Sequence, residues 1–553
     1  MRVLFVYPNL YTQMGFNHGL ASLSAWLKQH GHETRLLNLN ENLPPVPSRE
    51  EALDLIQEWE PGLVAFSCLT QQYEAAKEFA GFLRDSAQFE LPPLIVGGIH
   101  PTMMPEAVMG DGVWDHVGVG ECEDSLLQLV QRLEAGEQPD DIANFLSWRG
   151  GARPEETETR VAANWIHNPV GEFPNFEQMP EPDYALFDTQ RITELKNGWF
   201  GLMSSRGCPY RCSYCLNHKI VDRYRDELGR GTSELGFFRF RPADKMIAEI
   251  RNVLATHDNI NTFIFDDDLF TQNPEHALAI CEAYEAAGIG VPFVVNSHVK
   301  ALDPRVAEAL ARAGCKILKL GIESGSPRIR GKVLRRFMTQ RDIRETVGSA
   351  EKHGLHTSGF LMVGLPSETH EERWESVDIL AETRIGRFRT SWFFPFPGTE
   401  GYSQAIEYGH LDEGEISSMT TFTDGSCLEF GAEENLFIDK LGRCMPWFVN
   451  ARMSKFHDDA PASELYGPLV EQVLAMDAEE WAEFMPTVRA VDAELSAAAT
   501  ADGILHYAIK YNTFMGVRSD FFQAEEAGHE WITAAAKPAL EAKPSKKPGG
   551  VSA

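Results

Sequence analysis

Short apolar runs alternate with longer amphipathic stretches along the first three quarters of the chain. Val3–Tyr7, Thr34–Leu39, Leu63–Ser67, Leu94–Val96 and Val117–Val119 are compact apolar runs that predict buried strands. Helical patterns lie between them. In Leu20–His30 the apolar residues recur at helical spacing, and Gly31 follows directly, as suits a helix that ends in a left-handed residue. Glu74–Arg84 is a second, more polar example. Strand–helix alternation at this pitch predicts an α/β domain over residues 1–145, a doubly wound, Rossmann-like parallel sheet.

A similar series begins at Trp199. Strands are predicted at Gly201–Ser205, Thr262–Asp266, Pro292–Asn296, Lys316–Gly321, Thr357–Val363 and Arg389–Phe394. Helical segments intervene, among them Ala243–Ala255, Glu275–Ala287 and Arg341–His353. Six βα units over residues 196–412 predict a partial (β/α)6 barrel, short of the closed eight-unit form. Residues 146–195 read as a linker: a hairpin around Arg149-Gly150-Gly151, then a strap punctuated by Pro169, Pro174, Pro180 and Pro182. Residues 413–530 read as a mainly helical domain, expected both to pack an aromatic core and to form a lid over the barrel. The Lys-, Pro- and Ala-rich tail, 531–553, is expected to be disordered.

Composition narrows the function classes. The chain has 553 residues, 43% of them hydrophobic, enough for three or four ordinary domains. No stretch approaches eighteen consecutive apolar residues. The apolar run at the N-terminus is strand-length, too short for a signal peptide, so the expected location is cytoplasmic. Fifty basic against eighty-one acidic residues give a net charge of −31, which argues against broad contact with nucleic acid.

The chemistry concentrates in Gly207-Cys208-Pro209-Tyr210-Arg211-Cys212-Ser213-Tyr214-Cys215, a C-x3-C-x2-C spacing directly after a predicted strand end at Met203-Ser204-Ser205. Three thiolates on one loop can hold three irons of a cubane cluster and leave the fourth iron open to a ligand. A Cys3His zinc site completed by His218 and unrelated buried thiols are the alternatives. Disulfides are not expected, since the nine cysteines are odd in number and no secretory signal precedes them.

A strand, this cysteine motif with an aromatic before its last cysteine, and further βα units together resemble the radical S-adenosylmethionine superfamily. The resemblance implies a [4Fe–4S] cluster on Cys208, Cys212 and Cys215 as the catalytic centre, with S-adenosylmethionine chelating the open iron and Tyr214 beside the adenine. Asp266-Asp267-Asp268 follows the second strand, where helix capping or second-shell bonding is the plain reading; the resemblance puts Asp267 and Asp268 near S-adenosylmethionine. Asn296 ends the third strand and is expected, by the same resemblance, among the S-adenosylmethionine contacts; His298, two residues on, is a possible proton donor or substrate contact, or a structural group. Gly321-Ile322-Glu323-Ser324-Gly325 resembles the family's Gly-x-Glu-Ser-Gly element, so Glu323 and Ser324 are expected to bond the ribose or methionyl group. Met362–Glu368, with Leu365, resembles the segment that frames the adenine, and Pro395–Glu400 is a further recurrent element.

In the first domain, ligands are expected beyond the carboxyl ends of the strands. Ser67-Cys68-Leu69-Thr70-Gln71, Gly97-Gly98-Ile99-His100-Pro101 and Gly118-Val119-Gly120-Glu121-Cys122-Glu123 occupy those ends. Small residues there would let a large flat ligand reach the backbone, although Gly-Gly after a strand is also a common turn. In this order they resemble the cobalamin-binding domain of one radical S-adenosylmethionine class. No Asp-x-His-x-x-Gly follows the first strand, and His18 lacks the preceding aspartate. The resemblance therefore implies base-off cobalamin without a histidine ligand, with Leu69, Thr70 and Gln71 at its lower face and His100 lining the pocket.

The expected activity is methylation of an unactivated carbon of a small molecule, lipid or cofactor precursor. Non-methylating radical chemistry, such as the oxidative cyclisation of the anaerobic magnesium-protoporphyrin ester cyclase or a ring contraction, is the alternative. A cobalamin or redox sensor is the second alternative, opposed by the intact cluster motif. The expected partners are the substrate and a low-potential electron donor, flavodoxin or ferredoxin.

Overall fold

The structure is a computed structural model that describes residues 1–10, 15–151, 153, 164–412, 425–510 and 515–521. The expected disordered tail lies outside the described residues. The first sheet contains β1 (Arg2–Tyr7), β2 (Glu33–Asn38), β3 (Leu63–Ser67), β4 (Leu94–Gly97), β5 (His116–Gly118), β6 (Phe145–Trp148) and β7 (Trp165–His167). Its spatial order is β2-β1-β3-β4-β5-β6-β7. The first five strands are parallel, and Val3 to Val6 have no exposed surface, as a sheet covered on both faces requires. The order reverses between β1 and β3, the switch point where such sheets open a ligand crevice.

The hairpin expected inside the linker belongs instead to this sheet. β6 pairs antiparallel with β5, and β7 with β6. The outer edge of β5 would otherwise leave a row of backbone donors and acceptors unpaired. His167, the last residue of β7, ties the hairpin to two helices through Glu106 (3.3 Å) and Glu227 (3.5 Å). The hydrogen bond to Glu106, then that to Glu227, pushes its pKa up to about 9. A histidine raised above its unfolded value of about 6.5 stabilises fully below that value, and the contribution disappears as pH rises through the folded pKa. The gap in thermal midpoint between wild type and His167→Gln should therefore be widest below about pH 6.5 and close above about pH 9. A pH series of melts for both proteins checks this.

The second sheet begins with β8 (Trp199–Leu202). A short ribbon of β9 (Ser205–Arg206) and β10 (Arg239–Phe240) brackets the cysteine loop. The series continues through β11 (Thr262–Phe265), β12 (Phe293–Ser297), β13 (Cys315–Glu323), β14 (His356–Val363) and β15 (Arg387–Trp392). β8, β11, β12, β13, β14 and β15 are parallel neighbours in that order, the expected six-unit partial barrel. Trp199, Ile264, Val294 and Ile317 form an apolar cluster low on these strands, which leaves the polar side chains to the carboxyl ends.

The C-terminal region is mainly helical, with helices at 432–452, 462–475, 478–484 and 488–501. It also supplies two strands that the sequence did not announce, β16 (Tyr507–Ile509) and β17 (Met515–Arg518). β17 pairs antiparallel with β15 and covers the barrel's open edge. Trp447 and Trp481 donate to Asp492 and Asp439, both at 2.7 Å. No helix among the described residues is long and apolar enough to cross a membrane.

Candidate active site

The carboxyl ends of both sheets face one shared cavity of about 1640 Å³, including its open mouth. From the first sheet it is lined by Ser67, Leu69, Gly97, Gly98, Gly118, Gly120 and Glu121. From the barrel come Met203, Gly207, Asp266 and Asp268. Gly207 immediately precedes Cys208, so the cavity runs from the crevice of one sheet to the cysteine loop of the other.

The glycines do different work. A Cβ on Gly97 would meet nothing within 4 Å and would stand in the cavity, so the bare backbone there is open to a ligand. Gly98, at φ +101°, lies so close to the Cys68 carbonyl that a Cβ would approach it to 2.6 Å. Gly120, at φ +76°, is pressed against the Tyr224 ring in the same way. Those two serve the turn, because only glycine adopts such backbone at no steric cost.

Thr70, Gln71, His100 and Pro101 are not on the cavity wall. His100 is buried and stacks on Tyr73 at 4.4 Å, with Thr70 Oγ1 3.4 Å from its Nδ1. Burial lowers its pKa to about 4, so it is neutral. The expectation that His100 lines the pocket is corrected: the 99–103 helix carries it into the core.

Glu121 lines the cavity but is committed to the barrel. Arg206 Nη1 donates to it at 2.6 Å, and Arg239 donates to its other oxygen. Arg206 also binds Glu123 at 2.7 Å and Ser22 at 3.0 Å. Burial raises the Glu121 carboxyl, and the two guanidinium groups more than reverse that and hold it below its usual value. The Gly-Glu-Cys-Glu turn is thus clamped to the residue two before the first cysteine of the motif.

The cysteine loop is fastened at both ends and from below. Asp268 accepts from Gly207 N–H and from Asn217, one residue before and two residues after the three cysteines. Ser213 N–H donates to Leu334 O at 3.0 Å, and Ser213 Oγ to Val333 O at 2.6 Å. Tyr210 stacks on the buried His298 at 3.9 Å, and His298 Nδ1 accepts from Lys300 N–H at 3.0 Å. His298 is therefore a prop for the loop, its pKa lowered to about 3 by burial.

The three thiols carry no disulfide, and burial pushes Cys208 and Cys215 up to about 12. Thiolates there need positive charge beside them, which iron ions supply. One fixed cation is already in place: Arg336 Nη1 donates to Cys212 Sγ at 3.6 Å and to Tyr214 Oη at 3.4 Å. Arg336 also grips the Gly321 carbonyl, at 2.7 Å through Nη2. Glu323 stands against both Tyr214 and Arg336 at φ +70°, a backbone conformation that non-glycine residues adopt at a cost. Gly321 leaves the space: a Cβ there would meet the Arg336 guanidinium at 2.5 Å. Among the described residues, no three His, Cys, Asp or Glu side chains converge at single-ion spacing. The fit to a cluster rests on the donors themselves: three thiols of one C-x3-C-x2-C loop can each ligate a different iron.

The remaining expected S-adenosylmethionine residues separate. Asp267 has no exposed surface; it accepts from Ser204 N–H (3.1 Å), Ser204 Oγ (2.8 Å) and Ser205 Oγ. Burial raises it to about 6. It anchors the strand end before the cysteine loop and faces away from the cavity. Asn296 donates to the Asp267 carbonyl at 2.9 Å. Ser324 Oγ closes its own turn by accepting from Ser326 N–H at 3.1 Å, and Leu365 is fully buried.

Asp266 does what its neighbour does not. Its side chain is 43% exposed on the cavity wall and pairs with His18 Nε2 at 3.2 Å, across the domain boundary. Burial raises its pKa, and the hydrogen bond from His18, with Lys319 and Lys196 behind it, outweighs that and holds it low. A Cβ on Gly201 would meet Asp266 Oδ2 at 2.5 Å, so this glycine makes room for the pair. Sequence reasoning weighed His18 only as a cobalt ligand and gave Arg336 no role. The run of basic residues around Arg336 was its only signal.

Two family models match the chain: the radical SAM superfamily over residues 202–380 and the B12 binding domain over residues 11–130. An uncharacterized methyltransferase of Pyrococcus horikoshii is 26% identical over 393 residues, 70% of this chain and 78% of that protein. The anaerobic magnesium-protoporphyrin IX monomethyl ester cyclase of Cereibacter sphaeroides is 24% identical over 416 residues, 72% and 63% of the two chains. Among solved structures, the cobalamin-dependent S-adenosylmethionine radical enzyme OxsB, with aqua-cobalamin and S-adenosylmethionine bound, shares the fold. It aligns with a TM-score of 0.63 at 14% identity, over 91% of this chain and 74% of that one. A B12-binding sheet opening onto a radical SAM barrel defines one class of enzyme, and the chain belongs to it: it is a cobalamin-dependent radical S-adenosylmethionine enzyme. Its cofactors are a [4Fe–4S] cluster, S-adenosylmethionine and cobalamin.

Proposed function

We propose that the enzyme is a radical methyltransferase that methylates an unactivated carbon of a small molecule, lipid or cofactor precursor. The cavity shared by the two sheets carries this reading, because it lets one substrate lie between two cofactors. Cys208, Cys212 and Cys215 would hold the cluster, with Tyr214, Glu323, Arg336 and Asp268 around S-adenosylmethionine. Ser67, Leu69 and the bare backbone at Gly97 would receive cobalamin. When bound, these groups supply the electron that opens the sulfonium, the radical that takes hydrogen from carbon, and the methyl group. The chain's own task is placement. Arg206, Glu121 and Glu123 fix the distance between the sheets. Asp266, oriented by His18, offers the cavity an ionised acceptor for a hydroxyl or amino group of the substrate.

Incubated anaerobically with reductant, S-adenosylmethionine, cobalamin and a methyl-accepting substrate, the enzyme should yield 5′-deoxyadenosine and S-adenosylhomocysteine together. 5′-Deoxyadenosine alone would support the second reading, an oxidative cyclisation, which the similarity to the magnesium-protoporphyrin ester cyclase favours. Neither product from a fully loaded enzyme would overturn both.

A further inference from the structure

Pro327–Met338, PRIRGKVLRRFM, holds five basic residues and no carboxylate, in a chain whose acids outnumber bases 81 to 50. The structure folds it in a way that divides those cations by role. Residues 329–333 make a π-helical turn, and Arg335 sits at φ +52°, which reverses the chain. Arg330 and Arg336 turn inward. Arg330 donates to Ser324 O at 2.6 Å and Gln340 Oε1 at 2.8 Å, and Arg336 to Gly321 O and Cys212 Sγ. Lys332, Arg335 and Phe337 turn outward. Phe337 is 67% exposed, the most exposed large apolar side chain among the described residues.

This outward face lies directly over the cysteine loop. Both hydrogen bonds from Ser213, between Cys212 and Tyr214, end on the carbonyls of Val333 and Leu334. Arg211, on the loop itself, is 47% exposed. Two acids sit within the patch, Glu400 on Arg335 at 2.6 Å and Asp222 on Arg211 at 2.8 Å, so three cations (Lys332, Arg335 and Arg211) face two carboxylates and the surface keeps a small positive excess. An exposed aromatic with exposed cations two and five residues before it suits a protein interface, where aromatics and arginine are enriched. On a chain of net charge −31, a local positive patch selects an acidic partner by charge, and a steered encounter quickens its arrival.

We propose that Lys332, Arg335 and Phe337, with Arg211, form the docking surface for a small acidic one-electron carrier protein of the flavodoxin or ferredoxin kind. The proposal rests on the reading that the three cysteines hold the cluster. In the transfer, the reduced carrier loses one electron and the oxidised 2+ cluster gains it, becoming 1+; no atom changes hands. The carrier stays outside the barrel, and the bonds from Ser213 to the Val333 and Leu334 carbonyls, with that from the Arg336 guanidinium to Cys212 Sγ, are the short way in.

The test uses reconstituted holoenzyme without substrate, mixed anaerobically with flavodoxin hydroquinone or, in a second arm, with a reduced ferredoxin. Carrier reoxidation is followed by stopped flow across a salt series. Lys332→Glu combined with Arg335→Gln should slow reoxidation about tenfold at low salt and flatten its salt dependence. Phe337→Ala should weaken carrier binding at every salt concentration. Cluster spectra, and reduction by dithionite, should match the wild type in all variants. Variant rates equal to wild type with the cluster intact would overturn the docking surface. So would a wild-type dimer that Phe337→Ala dissolves while carrier rates stay unchanged. Absence of the cluster spectrum from the wild type would sink the cysteine reading itself, and the docking proposal with it.

Discussion

Cys212→Ala is expected to lose the iron–sulfur absorbance, most of the bound iron and sulfide, and all S-adenosylmethionine cleavage. Two remaining thiols can ligate two irons of a cubane and leave the other half unheld. Cys212 is the most buried of the three, at 4% exposure, and the only one with a guanidinium on its sulfur. The fold should survive. Arg336 keeps its bonds to Gly321 O and Tyr214 Oη, and the loop keeps both bonds from Ser213 to 333–334. Cys444→Ala, at the kink of the 432–452 helix, is the control: it should retain the full cluster. Iron and sulfide analysis with electron paramagnetic resonance of the reduced proteins checks both. A full cluster in Cys212→Ala would contradict the assignment.

Arg206→Met is expected to be the most damaging change outside the cysteines. It removes the cation from Glu123, 3% exposed, and one of two from Glu121, and takes away the donor to Ser22 Oγ, which keeps only its own bond to Glu123. Leaving a buried charge uncompensated costs about 3–5 kcal/mol. Methionine fills similar volume and can still rest on Phe176, over which the guanidinium now lies at 4.9 Å, so the loss isolates charge from packing. Because the clamp joins two sheets, the expected signature is a split of the thermal transition by calorimetry. Loss of cobalamin on gel filtration should accompany it. Arg206→Lys should restore only part, since one ammonium cannot reach both carboxylates and Ser22 with the same geometry. A single transition at the wild-type temperature in Arg206→Met would show that the clamp contributes nothing.

Local features were legible in advance. The cysteine spacing, the strand before it, the glycine at 97 and the six-unit alternation all lie within short windows, and periodicity over such windows reports which face is buried. The two added strands were not, because β16 and β17 are three and four residues long and exist only as partners for the edge of β15. The same holds for the β6–β7 hairpin: its turn residues were readable, but its attachment to β5 was not. The helical region expected as a lid provides no residue of the shared cavity among those described. Its aromatic stripe spoke only of burial, and burial against the barrel's flank satisfied it.

The site shows the same division at the level of single side chains. Asp266, Asp267 and Asp268 are equivalent as sequence, and successive side chains at a strand end point to opposite sides. Two therefore line the cavity while Asp267 braces the loop. His18 meets Asp266 across 248 residues, and Glu121 meets Arg206 across 85. Sequence alone determined the two ligand-binding sheets and the cysteine motif, because alternation and spacing are properties of neighbours along the chain. Tertiary structure alone decided that the sheets face each other, that Arg336 lies on Cys212, and which carboxylate each cation takes. Electrostatic pairing depends on distance through space, and distance is set only when the cores close.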